Sequence, residues 1–80
     1  MLYDSLSRNH AMIASPATAA DFTRWEEQAR SMDAVSLHYT IRDCKAAAEA
    51  MRGWNPIREG YYTDQMCTFA DERRRRQTAQ

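Results

Sequence analysis

The feature that most restricts how this chain can fold is a long stretch without helix-breaking residues. Neither glycine nor proline occurs from Ala17 to Arg52, and the whole chain contains only two of each. Because glycine and proline most strongly disfavour a helix interior, this stretch can be helical over most of its length. A chain of 80 residues also forms one domain at most. The sequence therefore predicts a single all-α domain over residues 1–80.

Apolar residues in this stretch recur at helical spacing in two separate sets. The first set predicts a helix over about 16–32, which Ser15 would cap and Pro16 would begin. The second set predicts a helix over about 36–52. In chain order the two sets are Ala19, Phe22, Trp25, Ala29 and Met32, followed by Leu37, Ile41, Cys44, Ala48 and Met51.

The two sets are out of phase by at least one residue, which is about 100° around a helix. One explanation is a break near residues 31–36, where Ser31, Asp33 and Ser36 are all usable caps. The other is one continuous helix over 16–52, whose apolar face rotates to meet a different partner. The sequence is compatible with both alternatives.

Residues beyond Arg52 predict a turn. Gly53 is typical of the residue that follows the end of a helix, because it can adopt a left-handed conformation. Asn55 and Pro56 repeat the pairing of a cap with a proline, and they predict a single turn that Gly60 closes.

The predicted architecture is a small helical bundle built on a helical hairpin. The hairpin pairs a helix over about 36–52 with a helix over about 61–76, and the helix over about 16–32 precedes it. We also predict an irregular N-terminal arm over 1–14 and a frayed tail over 77–80.

Three aromatic residues, Trp54, Tyr61 and Tyr62, surround the predicted turn. Their rings can plug the end of the hairpin while the indole N–H and the phenol O–H groups reach water. The same residues are the first candidate surface for a partner protein, because aromatic side chains dominate the energetics of interfaces.

The helix over 16–32 carries a second candidate interface, formed by Phe22, Trp25, Ala29 and Met32. A domain this short buries only about 60% of its unfolded surface, so the chain has little apolar surface to cover these side chains. We therefore predict self-association through this face, as a homodimer. The alternative is that the face packs on residues 37–51 of the same chain.

The basic run Arg73–Arg76 is a third candidate contact surface, for a partner protein or for a nucleic acid. A structural role competes with both, because Asp71 and Glu72 lie four residues before Arg75 and Arg76 and can form ion pairs within the helix. The formal net charge of the chain is +0. That balance offers no general attraction to nucleic acids or to anionic membranes.

The sequence holds no pattern typical of a metal or catalytic site. The histidines, His10 and His38, do not stand at zinc-ligand spacing with Cys44 and Cys67. We expect both cysteines to be reduced thiols on or near the inward faces of their helices. His38 and Cys44 lie on different faces of one helix, and no glycine-rich phosphate loop occurs. We predict a protein that is not an enzyme and that needs no metal or cofactor.

No apolar run reaches the roughly 20 residues that a membrane span requires, and the N-terminus lacks the pattern of a secretory signal. We therefore expect a cytoplasmic location without membrane contact.

About half of the chain, over residues 37–76, resembles small uncharacterised helical proteins encoded by bacteriophages and prophages. In that pattern a helix with an aspartate–cysteine pair leads through an asparagine–proline turn into a helix that ends in arginines. The residues that carry the resemblance are Asp43, Cys44, Ala47, Asn55, Pro56, Gly60, Tyr61, Tyr62, Asp64 and Arg73–Arg76.

The resemblance implies an accessory protein in the cytoplasm of a host bacterial cell. Such proteins commonly bind a host or defence protein stoichiometrically, as anti-CRISPR-like or host-takeover inhibitors do. The alternative it implies is a small nucleic-acid-binding transcriptional regulator that uses the C-terminal arginine helix, and a structural subunit of a phage particle is a third.

Overall fold

The computed structural model describes residues 16–79, and this part of the chain forms three α-helices and no strand. Helix α1 spans Ala19–Ser31, helix α2 spans Ala34–Met51 and helix α3 spans Pro56–Thr78. The prediction of a small all-α fold is confirmed. The arm predicted over 1–14 lies outside the described residues.

Helix α1 begins later than predicted, because Thr18 caps it instead of Ser15. The Thr18 side chain accepts a hydrogen bond from the backbone N–H of Asp21 at 3.2 Å. The Asp21 carboxylate accepts one from the backbone N–H of Thr18 at 2.9 Å, and this bond holds the pKa of Asp21 below its ordinary value. This reciprocal capping box satisfies two backbone donors, so Pro16 precedes the helix and does not open it.

Helix α1 and helix α2 are separated by a break at Met32 and Asp33. Both residues have extended backbone, with ψ 145° at Met32 and ψ 169° at Asp33. The Asp33 carboxylate caps α2 by accepting a hydrogen bond of 2.7 Å from the backbone N–H of Ser36. That bond holds the pKa of Asp33 below its ordinary value. Of the two alternatives for residues 16–52, the chain adopts the break.

The turn between α2 and α3 is shorter than predicted. Gly53 has φ 85°, as expected of a residue that follows a helix. The Asn55 side chain then accepts a hydrogen bond of 3.0 Å from the backbone N–H of Arg58, and α3 begins at Pro56. The predicted start at 61 is wrong, because one glycine costs a helix only about 1 kcal/mol. Gly60 therefore lies inside α3.

We expect Gly53→Ala and Gly60→Ala to change the stability in opposite directions. A Cβ added at either glycine meets nothing within 4 Å, so the backbone conformation decides the sign. The left-handed φ of Gly53 should cost alanine about 1–2 kcal/mol, whereas alanine at the helical Gly60 should gain about 0.5–1 kcal/mol. Thermal unfolding of both variants measures the two signs, and shifts of the same sign would contradict the assignment of Gly60 to the helix.

The core lies where the helices meet, and its three most deeply buried large side chains are Trp25, Leu37 and Phe69, each 1% exposed. Helix α3 is the element that packs against both α1 and α2. This arrangement makes α3 the central support of the fold.

Two contacts give the directions of the helices. The Trp25 ring in α1 lies edge-on to Tyr61 near the start of α3, with 5.2 Å between centroids. At the other end, Arg76 of α3 donates a hydrogen bond to the carbonyl oxygen of Met32, which follows α1. Helices α1 and α3 therefore run parallel to each other, and α2, which connects them in the chain, runs in the opposite direction.

The face of α1 predicted for self-association contributes to the core of its own chain. Trp25 and Ala29 are each 1% exposed, so neither side chain is available to a second copy in this fold. Phe22 and Met32 are half-buried and pack against the same core. The intramolecular alternative describes these residues, although their main packing partner is α3 and not residues 37–51.

Candidate functional site

The most exposed large apolar side chain of the described residues belongs to Trp54, at 77%. Ile57, three positions later in the first turn of α3, is 50% exposed. We call these two side chains the turn surface. The prediction that Trp54 plugs the end of the hairpin is wrong, because its ring faces solvent.

The backbone beneath the turn surface is held by hydrogen bonds. The carbonyl oxygen of Met51 accepts from the N–H of Trp54 at 3.2 Å and from the N–H of Asn55 at 3.0 Å. The Asn55 side chain in turn caps α3. Trp54 is thus presented on an ordered turn, which lowers the conformational entropy that a partner would have to restrict on binding.

Tyr61 and Tyr62 lie in α3 close to the turn, and both of their rings contact the Arg58 side chain. The Arg58 guanidinium lies 4.7 Å from the Tyr61 ring centroid and 4.5 Å from the Tyr62 ring centroid. It also donates a hydrogen bond of 2.8 Å to the Tyr62 hydroxyl. Because Tyr61 packs edge-on to Trp25, these contacts connect the turn to the core. Both tyrosines are half-buried, so Trp54 is the most accessible of the three predicted partner-binding aromatic residues.

Arg76, the last arginine of the run, connects α3 to the end of α1. Its guanidinium donates to the Glu72 carboxylate at 2.7 Å. It also donates to the carbonyl oxygens of Ala29 at 2.9 Å and Met32 at 2.7 Å. Backbone carbonyls at the end of a helix have no partner within that helix, so Arg76 caps α1 from the neighbouring α3.

The remaining arginines are paired differently from the sequence prediction. The predicted Glu72–Arg76 pair is present, whereas Asp71 pairs with Arg74 at 3.1 Å and not with Arg75. Arg75 instead makes two bonds to Glu72, at 3.0 and 2.6 Å. Arg74 and Arg75 keep most of their side chains in solvent.

Arg73 is the exception in this run. It is exposed, and it forms no hydrogen bond or ion pair with another residue of the described range 16–79. Helix α3 continues beyond the run to Thr78, so the first residues of the predicted frayed tail are helical.

Glu72 is the buried charge at the centre of this network, with only 7% of its surface exposed. Hydrogen bonds from Arg75 and Arg76 lower the pKa of its carboxyl from 4.5 to about 2. A carboxylate whose pKa is depressed by folding stabilises the native state above its ordinary pKa, and that contribution is lost as the pH falls through the folded value.

We therefore expect the stability of the protein to fall as the pH drops from 4.5 toward about 2, more steeply than that of a Glu72→Gln variant. The variant keeps every other titrating carboxyl, so the difference between the two curves isolates Glu72. Melting temperatures across this pH range measure it. Parallel curves would show that the ion pairs at Glu72 contribute no stability.

A cleft of about 620 Å³ lies between the parallel helices α1 and α3. Its wall includes carboxylates from both helices, at Glu26, Asp64 and Asp71, together with Cys67. The prediction that Cys67 faces inward is wrong, since its thiol is exposed. The sequence did not indicate this cleft, because it forms between helices that are not consecutive in the chain.

Cys44 is buried, as predicted. Burial raises the pKa of its thiol, with a smaller contribution from the nearby Asp43 carboxylate. A raised pKa keeps this thiol protonated at neutral pH. Within the described residues, no three histidine, cysteine or carboxylate side chains form a group that could hold a metal ion.

A second exposed apolar site, which the sequence reading missed, lies near the start of α2. Val35 is 65% and Tyr39 is 54% exposed. The Tyr39 ring has His38 edge-on at 5.6 Å and the Arg42 guanidinium at 5.7 Å. These residues lie within roughly the first two to three turns of α2.

None of the helices described over 16–79 is long and apolar enough to cross a lipid bilayer. Comparisons with known protein families, with curated proteins and with solved structures found no match.

Proposed function

We propose that this chain is a non-enzymatic binding protein that presents Trp54 and Ile57 to a partner protein. The observation that carries the proposal is the Trp54 side chain, 77% exposed on a turn whose backbone is held by hydrogen bonds. Tryptophan is among the residues most enriched at the energetic centres of interfaces. The matching site on the partner is an apolar pocket deep enough to take an indole ring.

The resemblance to phage-encoded proteins suggests the class of partner. A stoichiometric ligand of a host bacterial protein needs an anchoring side chain and a stable scaffold, and it needs no catalytic group. On this proposal the chain modulates or inhibits its target by occupying a surface, in the manner of an anti-CRISPR-like or host-takeover inhibitor. Tyr61 and Tyr62 act mainly by holding the turn.

Nucleic-acid binding is the second candidate, and Arg73 is the observation that favours it. Its guanidinium has no counter-ion among the described residues, and Arg74 and Arg75 are exposed beside it. Against this, Asp71 and Glu72 each pair with members of the run, which lowers the positive potential available to phosphates. We rank it below protein binding for that reason.

The test of the proposal is capture of a target from bacterial lysate with three full-length baits. Wild type and Arg73→Gln should retain the same protein in stoichiometric amounts, and Trp54→Ala should lose it. Loss from Arg73→Gln with retention by Trp54→Ala would instead favour the second candidate. Binding of nucleic acid that weakens steeply with added salt would support that reading as well.

A further inference from the structure

The two connections between helices differ in how far their backbone angles are from those of a helix. The α2–α3 turn contains Gly53 with φ 85° and the helix-starting Pro56. At the α1–α2 break, Met32 and Asp33 have φ −84° and −74°, which are close to the values of a helix. Only the two ψ angles would have to change for α1 and α2 to join.

The bonds that hold the break have direct replacements in a joined helix. In the observed fold the Asp33 carboxylate accepts from the Ser36 N–H, and Arg76 donates to the carbonyls of Ala29 and Met32. In a continuous helix those carbonyls would accept from the backbone N–H groups four residues later. The hydrogen bonds of the two forms are therefore similar in number, so hydrogen bonding at the break favours neither form.

A single copy cannot straighten without losing its core, because Trp25 and Ala29, each 1% exposed, would face water. These side chains pack mainly on α3, and a second copy presents the same surface of α3. Short hinge loops between packed elements are where such exchange between copies occurs.

We propose that two copies of this chain exchange α1. Helices α1 and α2 of each copy join into one helix over Ala19–Met51, about 50 Å long at 1.5 Å per residue. Because α1 runs opposite to α2 in the bundle, the two long helices lie antiparallel around a twofold axis near Asp33. Each α1 then packs on α3 of the other copy, and the core contacts of the monomer are rebuilt.

The exchange does not rest on the proposed function. Trp54 and Ile57 lie at the other end of α2 and stay exposed in either form, so a chain that exchanges α1 can bind its partner or fail to do so. The exchange does require that Met32 and Asp33 can adopt either the broken or the helical backbone. Single substitutions near the break should shift the balance between the two forms.

Ala34→Pro should prevent the exchange and leave the monomer folded. Position 34 is the first residue of α2, where proline is favoured, and the extended ψ of Asp33 suits a residue before proline. In the joined helix the same proline would sit in the interior. We expect the dimer dissociation constant to rise about 100-fold or more.

Asp33→Ala should promote the exchange, because it removes the cap of the break and supplies a good helix former. We expect the dimer dissociation constant to fall about tenfold or more. Asp43→Ala is the matched control, since it removes an exposed carboxylate from the middle of α2, and it should change the constant by no more than about twofold. Sedimentation equilibrium on the full chain measures all three variants.

A spin-label distance separates exchange from ordinary dimerisation. Labels at the exposed Thr23 and Lys45, in a Cys44→Ala and Cys67→Ser background diluted with unlabelled chain, report the distance within one copy. The joined helix places the two Cα atoms about 33 Å apart, whereas in the monomer both helices pack on α3 and run in opposite directions, which brings the two positions closer together. A long distance in the dimer and a short one in the monomer would support the exchange. A dimer with only the short distance, or no dimer of Asp33→Ala at millimolar concentration, would overturn it.

Discussion

Trp25→Ala is expected to remove about 3–5 kcal/mol of folding stability. The side chain is 1% exposed, and its ring makes edge-on contacts with Phe22 at 5.4 Å and with Tyr61 at 5.2 Å. Small domains are stable by only about 5–15 kcal/mol, so this loss is a large share of the total. We expect the melting temperature to fall by more than about 10 °C.

The measurement is thermal and urea unfolding, followed by circular dichroism. Gln28→Ala is the control, because Gln28 lies exposed on the same helix, and its loss should change the stability by no more than about 0.5 kcal/mol. If Trp25→Ala unfolded at the same temperature as this control, α1 would not pack on α3 as described.

Trp54→Ala is expected to lower the affinity for the partner protein about 30-fold or more, which corresponds to about 2 kcal/mol. The same substitution should leave the free energy of unfolding within about 0.5 kcal/mol of wild type, because the ring is 77% exposed. A side chain that matters for binding and not for stability is the signature of a surface presented to another molecule.

Titration calorimetry with the purified partner measures the affinity, and thermal unfolding measures the stability. Val35→Ala is the matched control, since it also truncates an exposed apolar side chain, 65% exposed, but at the opposite end of α2. Equal affinities for Trp54→Ala and Val35→Ala would remove the turn surface from the interface.

The helical content of the chain could be predicted from the sequence, and the break in its first half was one of two alternatives that the sequence left open. The absence of glycine and proline from Ala17 to Arg52 indicates helix, and the phase slip between the two apolar sets indicates that one straight helix would need two different partners to bury both. Asp33 is one of the caps that the sequence offered, and its carboxylate does cap α2. These signals depend only on residues that are close together in the chain, so packing between the helices does not alter them.

The helix boundaries were predicted less well, because neighbouring caps compete. Ser15 with Pro16 and Thr18 with Asp21 are both usable start signals within a few residues, and the reciprocal capping box prevails. Gly60 is predicted to close a single turn, whereas the cap at Asn55 and the proline after it are sufficient to start α3. A glycine inside a helix weakens it without stopping it.

The directions of side chains and the contacts between helices could not be predicted from the sequence. Arg76 bonds to carbonyls 44 and 47 positions earlier in the chain, and no local pattern encodes that contact. Trp54 follows a residue with left-handed backbone, so helical periodicity does not determine where its ring points. The exposed Trp54 and the structural role of Arg76 were therefore visible only in the folded chain.

The most direct measurement of the central claim is the solvent exposure of Trp54, free and in the complex. The chain contains two tryptophans, so Trp25→Phe leaves Trp54 as the sole fluorescent indole and keeps an aromatic ring in the core. We expect acrylamide to quench its emission readily in the free protein and far less once the partner is bound. Equal quenching in the two states would contradict a partner interface centred on Trp54.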